Sequence, residues 1–120
     1  IIKLAAEQGF KLVITTDHGM VYVKKPSQVV GDRETSTNIR YKTGKSLTYD
    51  EKDVWAITNP EKLFLPKGNL SSKYIFAKNN IFLAYPKNYN HFVNYYKDTY
   101  QHGGISLEEI IIPISILEPK

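Results

Sequence analysis

The chain opens with a helix-like stretch, a glycine and a short β-branched run, and this order limits the folds open to it more than any other feature. Apolar residues fall at Ile1, Ile2, Leu4, Ala5 and Ala6, and Gly9 stands where a helix C-terminal cap belongs. Leu12-Val13-Ile14, extended by Thr15 and Thr16, then reads as a buried strand. Helix, tight glycine turn and buried strand are the rhythm of an α/β layer fold. Asp17-His18-Gly19 follows at once. It falls at the carboxyl end of the predicted strand, where open α/β sheets place their ligands. No capping residue and no methionine precede Ile1, so the authentic N-terminus is expected upstream.

Further elements follow in alternation. Residues 20–23 (Met-Val-Tyr-Val) and 54–57 (Val-Trp-Ala-Ile) read as strands, the second ended by Asn59-Pro60. Residues 61–65 form a helical turn closed by Pro66. The runs 74–77 and 81–85, joined by Lys78-Asn79-Asn80, predict a β-hairpin. Asn88 or Asn90 caps a helix on which Tyr89, Phe92, Val93, Tyr96 and Tyr100 form a core-facing stripe. Ser106 with Glu109 three residues on fits a capping box. Residues 110–117 predict a last strand, at an edge or bulged because Pro113 has no ladder donor.

With 120 residues the chain is sized for one domain with a modest core. It has no cysteine, which excludes disulfides and thiolate metal sites. It has no apolar run near bilayer length and no signal-peptide pattern, so a membrane partner is not expected and the cytoplasm is the expected location. Any metal must use histidine and carboxylate ligands, which suit zinc, manganese or similar ions. Residues 24–45 carry six basic side chains (Lys24, Lys25, Arg33, Arg40, Lys42, Lys45) against Asp32 and Glu34, the whole of the net charge of +4. The stretch reads as a long basic loop. Such a patch favours phosphate-bearing partners, and on charge alone it reads equally as a solvated loop.

Asp17 and His18 are neighbours, so on an extended strand their side chains diverge. At a strand-to-loop turn they converge, and Gly19 supplies the freedom for that turn. Carboxylate oxygen and imidazole nitrogen would give a zinc ion two of its usual four ligands. The same triplet also reads as an Asp-Gly-type turn with a bystander histidine. His102, in Gln101-His102-Gly103-Gly104, is predicted to end a helix, as a ligand beside a glycine pair or as a histidine on the helix dipole with Gly103 as cap. His91 lies off the aromatic stripe and reads as a surface residue.

These residues carry a resemblance. The segment 12–19 resembles the strand followed by Asp-His-Gly of the alkaline phosphatase superfamily. Gln101-His102-Gly103-Gly104-Ile105-Ser106-Leu107-Glu108-Glu109 with Ile111-Ile112-Pro113 resembles the closing motif of its PglZ branch. The stretch 33–45 resembles the PglZ output domain of PorX-type two-component response regulators. The resemblance implies an α/β fold: the C-terminal part of an alkaline-phosphatase-like sheet flanked by helices, a single partial PglZ domain over 1–120. The first half of that domain and a receiver domain would lie upstream. It implies a zinc-dependent phosphodiesterase or phosphatase with two metal ions. Asp17 and His18 would ligate one ion and His102 the other. The nucleophile would precede residue 1, so neither Thr15 nor Thr16 takes that role. Substrates would be phosphate esters such as oligonucleotides, with Arg33, Arg40, Lys42 and Lys45 as candidate phosphate contacts, and a histidine kinase would act through the receiver. Alone, the 120 residues are expected to be inactive. Two rivals remain: a nucleic-acid- or protein-binding module using residues 24–45, and a segment that mediates homodimerisation.

Overall fold

The computed structural model describes residues 1–32, 35–68 and 70–119. A short helix, Ile2–Glu7 (α1), ends at Gly9, whose φ of +74° meets the expected glycine turn. Strands follow at Leu12–Thr15 (β1), Val21–Val23 (β2), Lys25–Gln28 (β3), Val30–Gly31 (β4), Tyr41–Gly44 (β5), Leu47–Thr48 (β6) and Val54–Ile57 (β7). A 3₁₀ turn at Pro60–Leu63 leads to Lys73–Ala77 (β8) and Ile81–Ala84 (β9). The chain closes with Tyr89–Tyr96 (α2), Thr99–Gln101 (β10), Leu107–Ile110 (α3) and Ile114–Leu117 (β11). Helices and small sheets are mixed, as an α/β fold requires. Among the described residues no helix is long and apolar enough to cross a membrane.

The core is organised around β9. Its four residues, Ile-Phe-Leu-Ala, are buried at every position, so both of its faces are covered. Strand alternation sends Ile81 and Leu83 to one cluster with Val29, Val54, Ile75 and Ala77. It sends Phe82 and Ala84 to a second cluster with Val21 and Val23, on which Ile39, Tyr89, Val93 and Tyr96 pack. Tyr89, Val93 and Tyr96 of the α2 stripe therefore pack, half-buried, on the core.

Several expectations are corrected. The runs at β8 and β9 are strands joined by a tight turn, closed by the Ile81 N–H donating to the Lys78 carbonyl at 3.0 Å, but they do not form a hairpin. Both edges of β8 are taken, antiparallel to β5 and to β7, so β9 pairs instead in parallel with β3. The basic stretch 24–45 holds three strands rather than one long loop. Its sequence hides them because β3 and β5 bury polar residues, Ser27 and Lys42, at inward positions. The helix α2 stops at Tyr96, where Lys97 turns extended at ψ 138°, so Tyr100 lies on β10 opposite Tyr22 of β2.

The strand β1 forms as expected but is not buried. It pairs antiparallel with β11 alone, and the two strands and α1 contain no fully buried residue. Val13, Ile14, Ile114 and Ile116 all face solvent. The last strand starts only after Pro113, which needs no ladder donor there and whose carbonyl accepts from Thr15 Oγ1 at 2.8 Å.

Because β9 separates two clusters, a cavity in it weakens both. Phe82→Ala is expected to lower the unfolding free energy by about 3–5 kcal/mol, measured by chemical denaturation. Removing the exposed Val13 side chain by Val13→Ala should cost less than about 0.5 kcal/mol in the same assay.

Candidate functional site

Asp17, His18 and Gly19 leave the end of β1, and His102 leaves the end of β10. The histidine therefore ends a strand, not the predicted helix, and the dipole reading of it falls away. The two loops meet. The His18 and His102 rings stack with centroids 3.7 Å apart and planes 11° from parallel.

His18 Nδ1 lies 2.8 Å from the Gly19 carbonyl oxygen. A carbonyl only accepts, so Nδ1 carries a proton and in the neutral ring Nε2 carries the lone pair. That nitrogen is 3.6 Å from Asp17 Oδ1. Two ligand atoms on one tetrahedral zinc ion stand about 3.3 Å apart, given metal–ligand bonds near 2.0–2.1 Å. The Asp17–His18 spacing is close to that value. A ring nitrogen binds a metal in the plane of its ring. Two near-parallel stacked rings therefore direct their lone pairs to separate positions rather than to one ion. Paired catalytic ions stand about 3.5–4 Å apart, close to the stacking distance.

The donor types thus suit a divalent metal, but their number does not complete a site. Among the described residues no group of three or more histidine, cysteine or acidic side chains gathers around one point. The Asp17 carboxylate is 89% exposed, a ligand without a cavity around it.

What holds the two loops together is Glu109, a residue that sequence reasoning assigned only a capping role. The capping box with Ser106 is present. The carboxylate does more. Oε1 accepts from Arg40 Nε at 2.8 Å and from the Gly104 N–H at 2.9 Å. Oε2 accepts from Arg40 Nη2 at 2.9 Å and from the Ser106 N–H at 3.3 Å. The main-chain carbonyl of Glu109 accepts the Gly19 N–H at 3.0 Å. One residue therefore grips both the His102-Gly103-Gly104 loop and the Asp17-His18-Gly19 loop. Gly19 sits so close to this segment that a Cβ would run into the Glu108 and Ile111 carbonyl oxygens.

The basic residues are placed differently from expectation. Arg40 is fully buried; it also donates to the Ile81 carbonyl and, at 3.3 Å, to that of Ala77. Lys42 is buried as well. Neither carries its charge on the protein surface. Arg33 lies outside the described residues, and Lys45 is on the surface. His91 is exposed, against Phe92 and Tyr95. The signal that could have found the Arg40–Glu109 pair is the second glutamate after the glycine pair, which a capping box alone leaves half-used.

Residues 1–116 match the sequence model of the family described as the BREX system PglZ alkaline phosphatase-like domain, and the chain belongs to that family. No individual curated protein matches it.

The buried pair makes stability depend on acid. Burial pushes the Glu109 carboxyl up, but the Arg40 hydrogen bonds and charge and the Gly104 N–H outweigh it and hold the group below its ordinary value of 4.5. A lowered carboxyl stabilises the fold fully above the ordinary value and loses that contribution as pH falls through the folded one. Unfolding free energy should therefore drop below about pH 4.5. Glu109→Gln should flatten that acid limb and cost about 3–5 kcal/mol at pH 7, since it leaves Arg40 uncompensated.

Proposed function

We propose that this chain supplies part of the metal centre of a phosphoesterase, with Asp17 and His18 on one zinc ion and His102 on a second. The observation that carries the reading is the meeting of His18 and His102 from distant loops, 3.7 Å apart, in a chain of an alkaline phosphatase-like family. When bound, the paired ions would stabilise the attacking and leaving oxygens of an in-line displacement at phosphorus.

The chain's own residues have supporting parts. Gly19 lets the Asp17-His18 turn lie flat against α3. Glu109 and Arg40 fix the relative position of the two ligand loops. The Gly19 carbonyl accepts the His18 Nδ1–H, the usual second contact of a metal-binding imidazole, and this leaves the Nε2 lone pair for the ion.

The remaining ligands and the nucleophile are assigned to polypeptide outside these 120 residues. The apolar surface of α1, β1 and β11 supports this, because a two-stranded sheet with exposed Val13, Ile14, Ile114 and Ile116 is not self-sufficient. The proposed whole is the output domain of a cytoplasmic two-component response regulator, resembling the PorX type, that acts on phosphodiesters such as oligonucleotides.

The test uses the full-length protein. It is expected to carry zinc by elemental analysis and to hydrolyse bis-(p-nitrophenyl) phosphate. Asp17→Ala, His18→Ala and His102→Ala should each lower kcat/KM by more than about a hundredfold and reduce bound zinc. The isolated 120 residues should show no turnover. Full activity in His18→Ala and His102→Ala, or metal content unchanged in all three variants, would overturn the assignment.

A further inference from the structure

At the cavity between β9 and α2 a buried cation has no counter-charge among the described residues. It measures about 230 Å³, and Ile39, Lys42, Leu83, Tyr85, Phe92 and Tyr96 are among the residues that line it. Lys42 is only 1% exposed. Its Nζ donates to the Thr37 carbonyl at 3.2 Å and stands 4.2 Å from the centre of the Tyr85 ring. Among the described residues no carboxylate pairs with it.

An ammonium has three N–H donors, and here one carbonyl and one ring face meet them. A buried cation is normally paired with an anion, because taking it out of water is costly. The strain is registered in the group itself, since burial pushes the Lys42 amine down to about 8. Arg40, two residues earlier and equally buried, has its carboxylate. Lys42 has instead an apolar cavity.

The walls define what would fit. The Phe92 and Tyr96 rings lie 6.2 Å apart and 13° from parallel along one side. A flat aromatic ring has offset-stacking surface there. An apolar protein cavity of about 150 Å³ accepts benzene, so the volume here accommodates a ring and a carboxylate. We propose that this cavity binds a small aryl carboxylate, its anionic end on Lys42 Nζ and its ring against Leu83, Phe92 and Tyr96. None of Asp17, His18 and His102 lines the cavity, so the site stands or falls independently of the metal centre.

Benzoate is the probe, with benzamide as its neutral counterpart of the same shape. Calorimetric titration of the full-length protein should give saturable benzoate binding, at least about tenfold tighter than benzamide, the difference expected of a charge-assisted contact. Backbone amide shifts should move at Leu83, Phe92 and Tyr96. Lys42→Met keeps the aliphatic stem and removes the charge. It should weaken benzoate at least about tenfold while leaving benzamide unchanged. Absence of saturable benzoate binding, equal binding of benzoate and benzamide, or unchanged benzoate affinity in Lys42→Met would overturn the proposal. The benzoate–benzamide comparison needs only the unsubstituted protein, so it decides the matter even if Lys42→Met does not fold.

Discussion

The ion pair between Arg40 and Glu109 is the contact on which the arrangement of the site depends. Both side chains are out of water, at 0% and 1% exposure, so neither charge is tolerable without the other. Their surroundings meet the remaining demands. Arg40 reaches the carbonyls of Ala77 and Ile81, on either side of the β8–β9 turn, and Glu109 takes two main-chain N–H groups from its own loop. A pair satisfied in this way does more than contribute energy. It fixes α3 relative to the central strands, and α3 in turn carries the carbonyl that holds Gly19. The stacking of His18 on His102 is thus a downstream consequence of a contact that neither histidine makes.

The central strands give that contact something rigid to bear on. Every position of β9 is buried, and Ile81, whose carbonyl receives Arg40, belongs to one core cluster while its neighbour Phe82 belongs to the other. A displacement of Arg40 would have to move residues packed on both sides. The ligand loops contrast with this. Asp17 is open to solvent, and on β1, which leads to it, Val13 and Ile14 are exposed. The site is therefore anchored firmly from the side of β9 and α3 and left open on the side of β1 and β11.

Much of this was legible in the residues. The positions of α1, β1, β2, β7, β8, β9 and α2 follow from β-branched runs and from asparagine and glycine punctuation, because these are local effects, whereas β3 to β6 and β10 do not. Strand pairing was not legible, since the β8–β9 turn looks like a hairpin turn. Whether two strands pair depends on which edges are already occupied, and β5 and β7 occupy those of β8. The exposure of β1 is not legible for a related reason: Leu12-Val13-Ile14 states a preference for burial, and only a partner element can fulfil it. The ligand residues were visible as a motif and a resemblance. Their spatial meeting was not, because His102 was placed on a helix that in fact ends at Tyr96.

Charge was the least legible property, and Arg40 and Lys42 show why. In sequence they are two of six cations in a polar stretch, indistinguishable from a solvated surface. In the fold both turn inward from the same segment and both are desolvated. Their chemistry then separates them. The planar guanidinium forks onto a carboxylate and two carbonyls through four hydrogen bonds, which suits a fixed structural joint. The single ammonium of Lys42 meets one carbonyl and an aromatic face, and it alone borders a cavity. A cation satisfied by its own fold has no capacity left for a ligand, whereas one left short beside apolar space has. The same stretch of sequence therefore supplies a clasp for the histidine loops and, two residues on, a buried ammonium that no carboxylate among the described residues pairs with.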